Sequence, residues 1–370
     1  MKIMHIGCPY YPYLGGSTVR LSSIVEGCSK DESLELYLVT PTRSENTEKD
    51  DKPFISVLRN ENINKFGPNI ELMKFLNKIK PDVVILHNSR VLMNWHVFYK
   101  PLFRAKSICE IHSFRDNKKI PKYINGVLYR KCDKLVVLSN GAKNYVSKTY
   151  HVNNAHSIIN GIETNYSNIS SEPSKIYNAS SVSISYVGSF YDWQGVEFLA
   201  KAVNKLGVDY WRGNKLHFVG DGPALNQVKK LVGNEVLDTG NVIFHGWVDK
   251  ESIKEIVKET DFFIAPRPST IATETVVPLK VLESFYYKKP MICSSVGGLT
   301  ELLSKDDKLA LFYEKDNLSD LISLLKSLPS KEEYRDICNN LGSYSKQLPS
   351  WDDAANKYID VFGKIKCMEK

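Results

Sequence analysis

The 370 residues contain no Cys-x-x-Cys pair and no Asp-x-Asp pair. No apolar run approaches the roughly 18 residues that a membrane-spanning helix needs. The seven cysteines are Cys8, Cys28, Cys109, Cys132, Cys293, Cys338 and Cys367, and most fall inside apolar runs. Their odd number and spacing exclude a disulfide framework or a structural zinc site, and point to buried thiols in a reducing compartment. The opening MKIMHIGCPYYPYLGG has too short an apolar stretch for a secretory signal, and Ile6-Gly7-Cys8 lacks the apolar region of a lipoprotein signal. The expectation is therefore a cytoplasmic protein. No zinc-finger pattern, RNP-like aromatic motif or dense basic arm suggests nucleic acid. Net charge is a moderate +7, which suits an acidic ligand or an anionic membrane surface. The 42% hydrophobic and 25% charged content is ordinary for a globular chain, and the length predicts two domains.

The richest stretch is Asp261 to Leu303, DFFIAPRPSTIATETVVPLKVLESFYYKKPMICSSVGGLTELL. Phe262–Ala265 reads as one buried strand. A polar loop with Arg267, Thr273, Glu274 and Thr275 is expected next. Pro278 suits the first position of a helix that runs to about Lys288, where Lys288 and Lys289 complement the negative end of its dipole. Pro290 stops that helix, and Met291–Cys293 begins another strand. A helix N-terminus just beyond a strand favours anions. Lys280 in the first turn and Glu283 one turn on form a surface pair worth a few tenths of a kcal/mol. Alternatively, Lys280 holds a phosphate while Glu283 accepts hydrogen bonds from a hydroxylated ligand.

The same alternation runs through both halves. Lys2–Gly7 is strand-like, and Gly15-Gly16-Ser17 opens a helix with Ser17 as expected N-cap. Residues 42–53 form a charged loop. Strands Val83–Leu86 and Ser107–Ile111 deliver His87-Asn88-Ser89 and His112-Ser113 at their carboxyl ends, where an open α/β sheet binds ligands. Residues 114–131 interleave basic and aromatic side chains, either as a solvated helix face or as a patch for an anionic acceptor or lipid head groups. Serine and asparagine enrichment places a linker at 166–181. The second half restarts with Val182–Val187, Gly195–Leu206, Leu216–Val219 and Val242–His245. The expected fold class is α/β, with two doubly wound domains: 1–165, 182–348 after the linker, and a terminal helix at 349–370.

Taken in order, EIHSF, VVLSNGAKN, IINGIE, YVGSFYDWQGV, FVGDGPAL, NVIFHGWV and TETVVPLKVLESFYYKKPMICSSVGGLTELL resemble a retaining glycosyltransferase of the two-Rossmann-domain (GT-B) type, family 4 (group 1). The resemblance covers nearly the whole chain, and SWDDAANKYIDVF is similar to the family's closing helix, which packs back on the first domain. It implies two Rossmann-like domains facing each other across a cleft. It also implies transfer of a sugar from a nucleotide-diphosphate donor, UDP-sugar favoured over GDP-sugar, to a glycan or lipid-linked acceptor in surface polysaccharide or glycoconjugate assembly, with a possible anionic membrane surface as partner. Carried over, Glu283 binds ribose hydroxyls, and the backbone of Val277, Pro278 and Leu279 with Gly188 and Ser189 approaches the diphosphate and sugar. Gly15 and Gly16 reach the donor from the first domain, His112 touches the donor sugar near the reacting carbon, and Trp247 lies near the base.

The chain departs from the family twice. The family's paired glutamates place the first at Thr275, so Glu274 is assigned that catalytic role, with Thr275 beside it. The usual Arg and Lys of the first donor-domain loop are absent, and Ser189 and Gln194 occupy the matching region. Arg267 and Lys280 are the candidates to meet the diphosphate charge. No metal or other cofactor is expected. Two alternatives stay open, a non-catalytic accessory subunit of the same architecture and a nucleotide-sugar 2-epimerase.

Overall fold

The computed structural model describes residues 1–13, 15–42, 53–114, 119–162, 177–304 and 308–366. Nearly all of the charged 42–53 loop, most of the linker expected at 166–181, and residues 115–118 of the basic-aromatic stretch lie outside the described residues. The chain divides into two compact units, Met1–Glu163 with Pro349–Lys370, and Thr164–Leu348.

The first unit is built on seven strands: β1 (Lys2–Ile6), β2 (Glu35–Thr40), β3 (Ser56–Arg59), β4 (Val83–Leu86), β5 (Lys106–Ile111), β6 (Lys134–Val137) and β7 (Ala155–Ser157). They pair in parallel in the order β3-β2-β1-β4-β5-β6-β7. The central strand β4, Val-Val-Ile-Leu, is buried at every position. Continuous apolar runs of this kind are what a parallel sheet covered on both faces requires. The helices Gly16–Cys28 and Trp351–Lys366 pack together, so that a Cβ added at Gly27 would lie 2.4 Å from that of Ala355. Leu21, Ile24, Tyr358 and Phe362 join Ile3 and Ile85 in one core.

The second unit carries β8 (Ser183–Val187), β9 (Lys215–Val219), β10 (Val242–Gly246), β11 (Phe262–Ala265), β12 (Met291–Ser294) and β13 (Ala310–Tyr313). Their parallel order is β10-β9-β8-β11-β12-β13. Phe190, Phe218 and Phe262 anchor its core with Tyr186 and Trp211. Both units are thus doubly wound α/β sheets of Rossmann type. The order in which successive strands are added reverses between β1 and β4 in one and between β8 and β11 in the other. Ligands of such sheets bind beyond the carboxyl ends of the strands at that reversal.

Three local expectations are corrected. Ser17 does not cap its helix. Gly15 is the N-cap and Gly16 the first helical residue. Pro278 is likewise an N-cap in extended conformation, and the helix is Leu279–Tyr287, with Lys288 closing it in the left-handed region. The polar segment after β11 is not all loop. Ile271–Thr275 forms a single helical turn whose N-terminus is closed by a reciprocal Thr270–Thr273 capping box. In addition, the helix expected from Gly195 to Leu206 spans Val196–Gly213, broken at Gly207 where φ is 77°.

The first unit buries an ion pair. Arg20 donates through Nε to Glu110 Oε1 at 2.7 Å, through Nη1 to Asn160 Oδ1 at 2.9 Å and through Nη2 to the Ile158 carbonyl at 2.9 Å. Tyr358 of the terminal helix donates its hydroxyl to the second oxygen of Glu110. The pair, a helix from each end of the chain and the centre of the sheet are therefore tied at one point. Removing one partner strands a buried charge at a cost of about 3–5 kcal/mol. Arg20→Met should lower unfolding stability by that amount in urea titrations. A loss under about 1 kcal/mol would contradict the assignment.

Burial also lowers the histidines beside this pair. His5 is pulled down to about 4, and His87 and His112 are lowered as well, with the Glu110 carboxylate offsetting part of the effect. The unfolded chain then binds more protons than the folded one as pH drops through the ordinary histidine value. Stability is predicted to fall continuously from pH 7 to pH ~4, each lowered histidine contributing up to about 1.4 kcal/mol per pH unit. Urea midpoints that stay level across that range would contradict the buried neutral histidines.

Candidate functional site

In the second unit the reversal point lies between β8 and β11. Chain leaving β8 enters Gly188-Ser189, and chain leaving β11 enters Pro266-Arg267. A small cavity there is lined by Gln194, Arg267, Pro278, Lys280, Glu283 and Tyr186 among others. Gly195 makes this arrangement possible. It sits at φ 73°, and a Cβ there would lie 1.7 Å from the Pro266 carbonyl, so only glycine lets the two loops touch.

Arg267 is 8% exposed, with Nη1 donating to the Val276 carbonyl at 3.2 Å. Its buried Nε has no hydrogen-bond partner. Burial pulls its pKa down to about 10, only partly opposed by Tyr186. Among the described residues it has no carboxylate partner. A buried cation so placed is costly unless something anionic arrives. Lys280 lies across the cavity, its Nζ 3.3 Å from Glu283 Oε2 and its stem near Gly188. The surface-pair geometry expected for these two residues is therefore present, and both still border the cavity. Tyr186 donates its hydroxyl to the Ser189 carbonyl at 2.7 Å, holding the 188–189 turn.

Glu274 is differently placed. Its carboxylate accepts from Ser269 Oγ at 2.6 Å, from Lys315 Nζ at 2.7 Å and from the Gly297 N–H at 2.7 Å. Burial alone would raise its pKa, but these hydrogen bonds and the Lys315 charge outweigh it and hold the group below the ordinary carboxylate range. Glycines at 297 and 298 are required, since added Cβ atoms would lie 2.4 Å from the Glu274 carbonyl and 2.2 Å from the Val276 carbonyl. Thr275 is buried and donates to the Ile271 carbonyl at 2.5 Å, one turn back in its own helix. Val277 is buried, Pro278 and Leu279 are half-buried, and Trp247 beyond β10 is 70% exposed.

In the first unit β1, β4 and β5 deliver Cys8, His87 and His112 to a cavity of about 550 Å³ that Glu110, Asn88 and Ser17 also line. His112 Nε2 stands 3.4 Å from Glu110 Oε1 and 3.2 Å from His87 Nδ1, and His87 Nε2 stands 3.0 Å from His5 Nδ1. Gly15 and Gly16 begin the helix that carries Arg20. Sequence reasoning found His112 but not Glu110, Arg20 or Tyr358, which hold it. A signal was present: Glu110 is the one acid inside the otherwise apolar Ile108–Ile111 run, and Arg20 interrupts an apolar helix face. Lys315 and Ser269, which fix Glu274, carried no comparable signal.

Residues 14–166 match the family described as Glycosyltransferase Family 4, and residues 181–329 match Glycosyl transferases group 1. An uncharacterized glycosyltransferase of Methanocaldococcus jannaschii is 24% identical, the match covering 96% of each chain. Two solved structures share the fold. Sucrose-phosphate synthase of Thermosynechococcus elongatus superposes with a TM-score of 0.77 at 14% identity over 100% of both chains. The Anabaena HepE protein in complex with UDP superposes with a TM-score of 0.76 at 14% identity, over 98% of this chain and 100% of that one.

Proposed function

We propose that the chain is a glycosyltransferase of the GT-B type, moving a sugar from a nucleotide-diphosphate donor, a UDP-sugar in preference to a GDP-sugar, to a glycan or lipid-linked acceptor with retained configuration and without metal. The observation that carries this reading is the buried Arg267 guanidinium, without a carboxylate partner among the described residues, facing a cavity shared with Lys280 at the strand-order switch point. The complex of the Anabaena neighbour with UDP supports the choice of base.

In the proposed reaction the bond from the anomeric carbon to the diphosphate oxygen breaks as the acceptor oxygen bonds that carbon on the same face. The leaving phosphate oxygen takes the acceptor proton. Negative charge grows on the diphosphate, and preorganised donors aimed at such charge are typically the largest catalytic contribution, one donor being worth about 3–4 kcal/mol. Arg267, Lys280 and the N-terminus of helix Leu279–Tyr287 supply those donors. They replace the basic pair missing from GSFYDWQG. Glu283 takes the ribose hydroxyls. His112 and Glu274 are assigned the catalytic roles. Glu274, ionised and held by three donors, serves as a fixed acceptor for sugar hydroxyls rather than as a nucleophile. The exposed Tyr123 and Ile124 of helix Lys119–Lys131 favour an acceptor presented at an anionic lipid surface.

Thermal melts in EDTA with UDP, GDP, ADP and dTDP test the donor site. UDP at about 100 times its dissociation constant should add roughly 2.7 kcal/mol to stability. Arg267→Met should lose that increment while the unliganded protein stays as stable or becomes more so, since a buried polar orphan is replaced by apolar volume. Glu283→Ala should weaken the increment. No stabilisation by any nucleotide would overturn the reading in favour of an accessory subunit.

A further inference from the structure

The cavity at the switch point of the first sheet is lined by two thiols, Cys8 and Cys109, and two imidazoles. One ligating atom from each of Cys8, His87 and His112 lies within 4.8 Å of the others. Zinc–nitrogen bonds near 2.0 Å and zinc–sulfur bonds near 2.3 Å put tetrahedral ligands about 3.3–3.8 Å apart. The 3.2 Å between His87 Nδ1 and His112 Nε2 is close to that spacing without any backbone movement.

Three further features favour a cation. Metal-bound histidines donate their other ring nitrogen to a fixed acceptor, which sets tautomer and orientation. His87 has such a partner, its Nε2 standing 3.0 Å from His5 Nδ1. The Glu110 carboxylate, 3.4 Å from His112 Nε2 and 4.0 Å from His87 Nδ1, supplies negative charge beside the ligands. All three ligating residues line the cavity of about 550 Å³, which gives the ion a path in. A sulfur and two imidazole nitrogens are a soft set that selects zinc-class ions over magnesium or calcium.

We propose that Cys8, His87 and His112 form a binding site for a thiophilic divalent cation of the zinc class. On binding, the Cys8 S–H bond breaks, a sulfur–metal bond forms and the proton passes to solvent. The site shares His112 with the proposed reaction, for which no metal is invoked, so an ion bound there would withhold that imidazole from turnover. It does not rest on the donor assignment, because occupancy is read on the protein alone.

Cobalt(II) titration of the chelator-stripped, reduced full chain is the test. One equivalent should give the visible bands of a tetrahedral site and a near-ultraviolet sulfur-to-cobalt charge-transfer band, and one equivalent of Zn²⁺ should abolish both. Cys8→Ser should lose the charge-transfer band and weaken binding about tenfold or more. His112→Gln, at a half-exposed position, should weaken it comparably with the fold intact by circular dichroism, which covers a Cys8→Ser chain that fails to fold. Cys132→Ser removes another thiol beside an imidazole, Cys132 Sγ being 3.7 Å from His96 Nε2, and should leave the spectrum unchanged. An octahedral cobalt spectrum, or a charge-transfer band that persists in Cys8→Ser or disappears in Cys132→Ser, would overturn the proposal.

Discussion

Among the described residues two guanidinium groups are buried, and the contrast between them organises the two sheets' chemistry. Arg20 is 1% exposed and satisfied by a carboxylate, an amide oxygen and a carbonyl. It stabilises the first unit as one body, because its partner Glu110 also receives the hydroxyl of Tyr358 from the terminal helix. Arg267 is 8% exposed, and its Nε meets no acceptor. Burial without compensation costs free energy, and a fold keeps such a group where something else provides the return. An anionic ligand would complete its shell, as Glu110 completes that of Arg20.

Topology explains why both groups stand where they do. Each parallel sheet reverses its strand order once, and the loops that leave the strands flanking that switch diverge to open a recess. Cys8 and His87 follow β1 and β4, while Gly188 and Arg267 follow β8 and β11. The same geometry has been furnished with different chemistry. The first recess carries imidazoles, two thiols and a compensated carboxylate. The second carries a guanidinium, an ammonium and a helix N-terminus. Glycine decides how closely the second set converges. Gly195 lets its loop reach Pro266, and Gly297 and Gly298 let the Glu274–Val276 backbone lie against the following turn.

Much of this was legible before any coordinates. Strands such as Val83–Leu86 and Phe262–Ala265 are short apolar runs bounded by polar residues, so local composition suffices to find them. The helix Leu279–Tyr287 was also visible, though Pro278 proved to be its cap, since proline's φ suits both positions and only the backbone's ψ separates them. The turn Ile271–Thr275 was not visible. It is five residues long, and its threonines cap it with the same hydroxyls that make the segment read as loop. Partners distant in sequence were hidden for a different reason. Arg20 and Glu110 are 90 residues apart, and Lys315 and Glu274 are 41 apart. No periodicity records such pairs. His112 was visible as a histidine ending a strand, and its role came from the resemblance, while the group that orients it was passed over as one acid inside a strand.

The central claim is that Arg267 awaits a diphosphate. A crystal structure of the chain with UDP tests it most directly. The account predicts a phosphate oxygen within hydrogen-bond distance of Arg267 Nε, with Lys280 turned from Glu283 towards the same phosphates. A diphosphate bound elsewhere, with Arg267 Nε still lacking an acceptor, would contradict it.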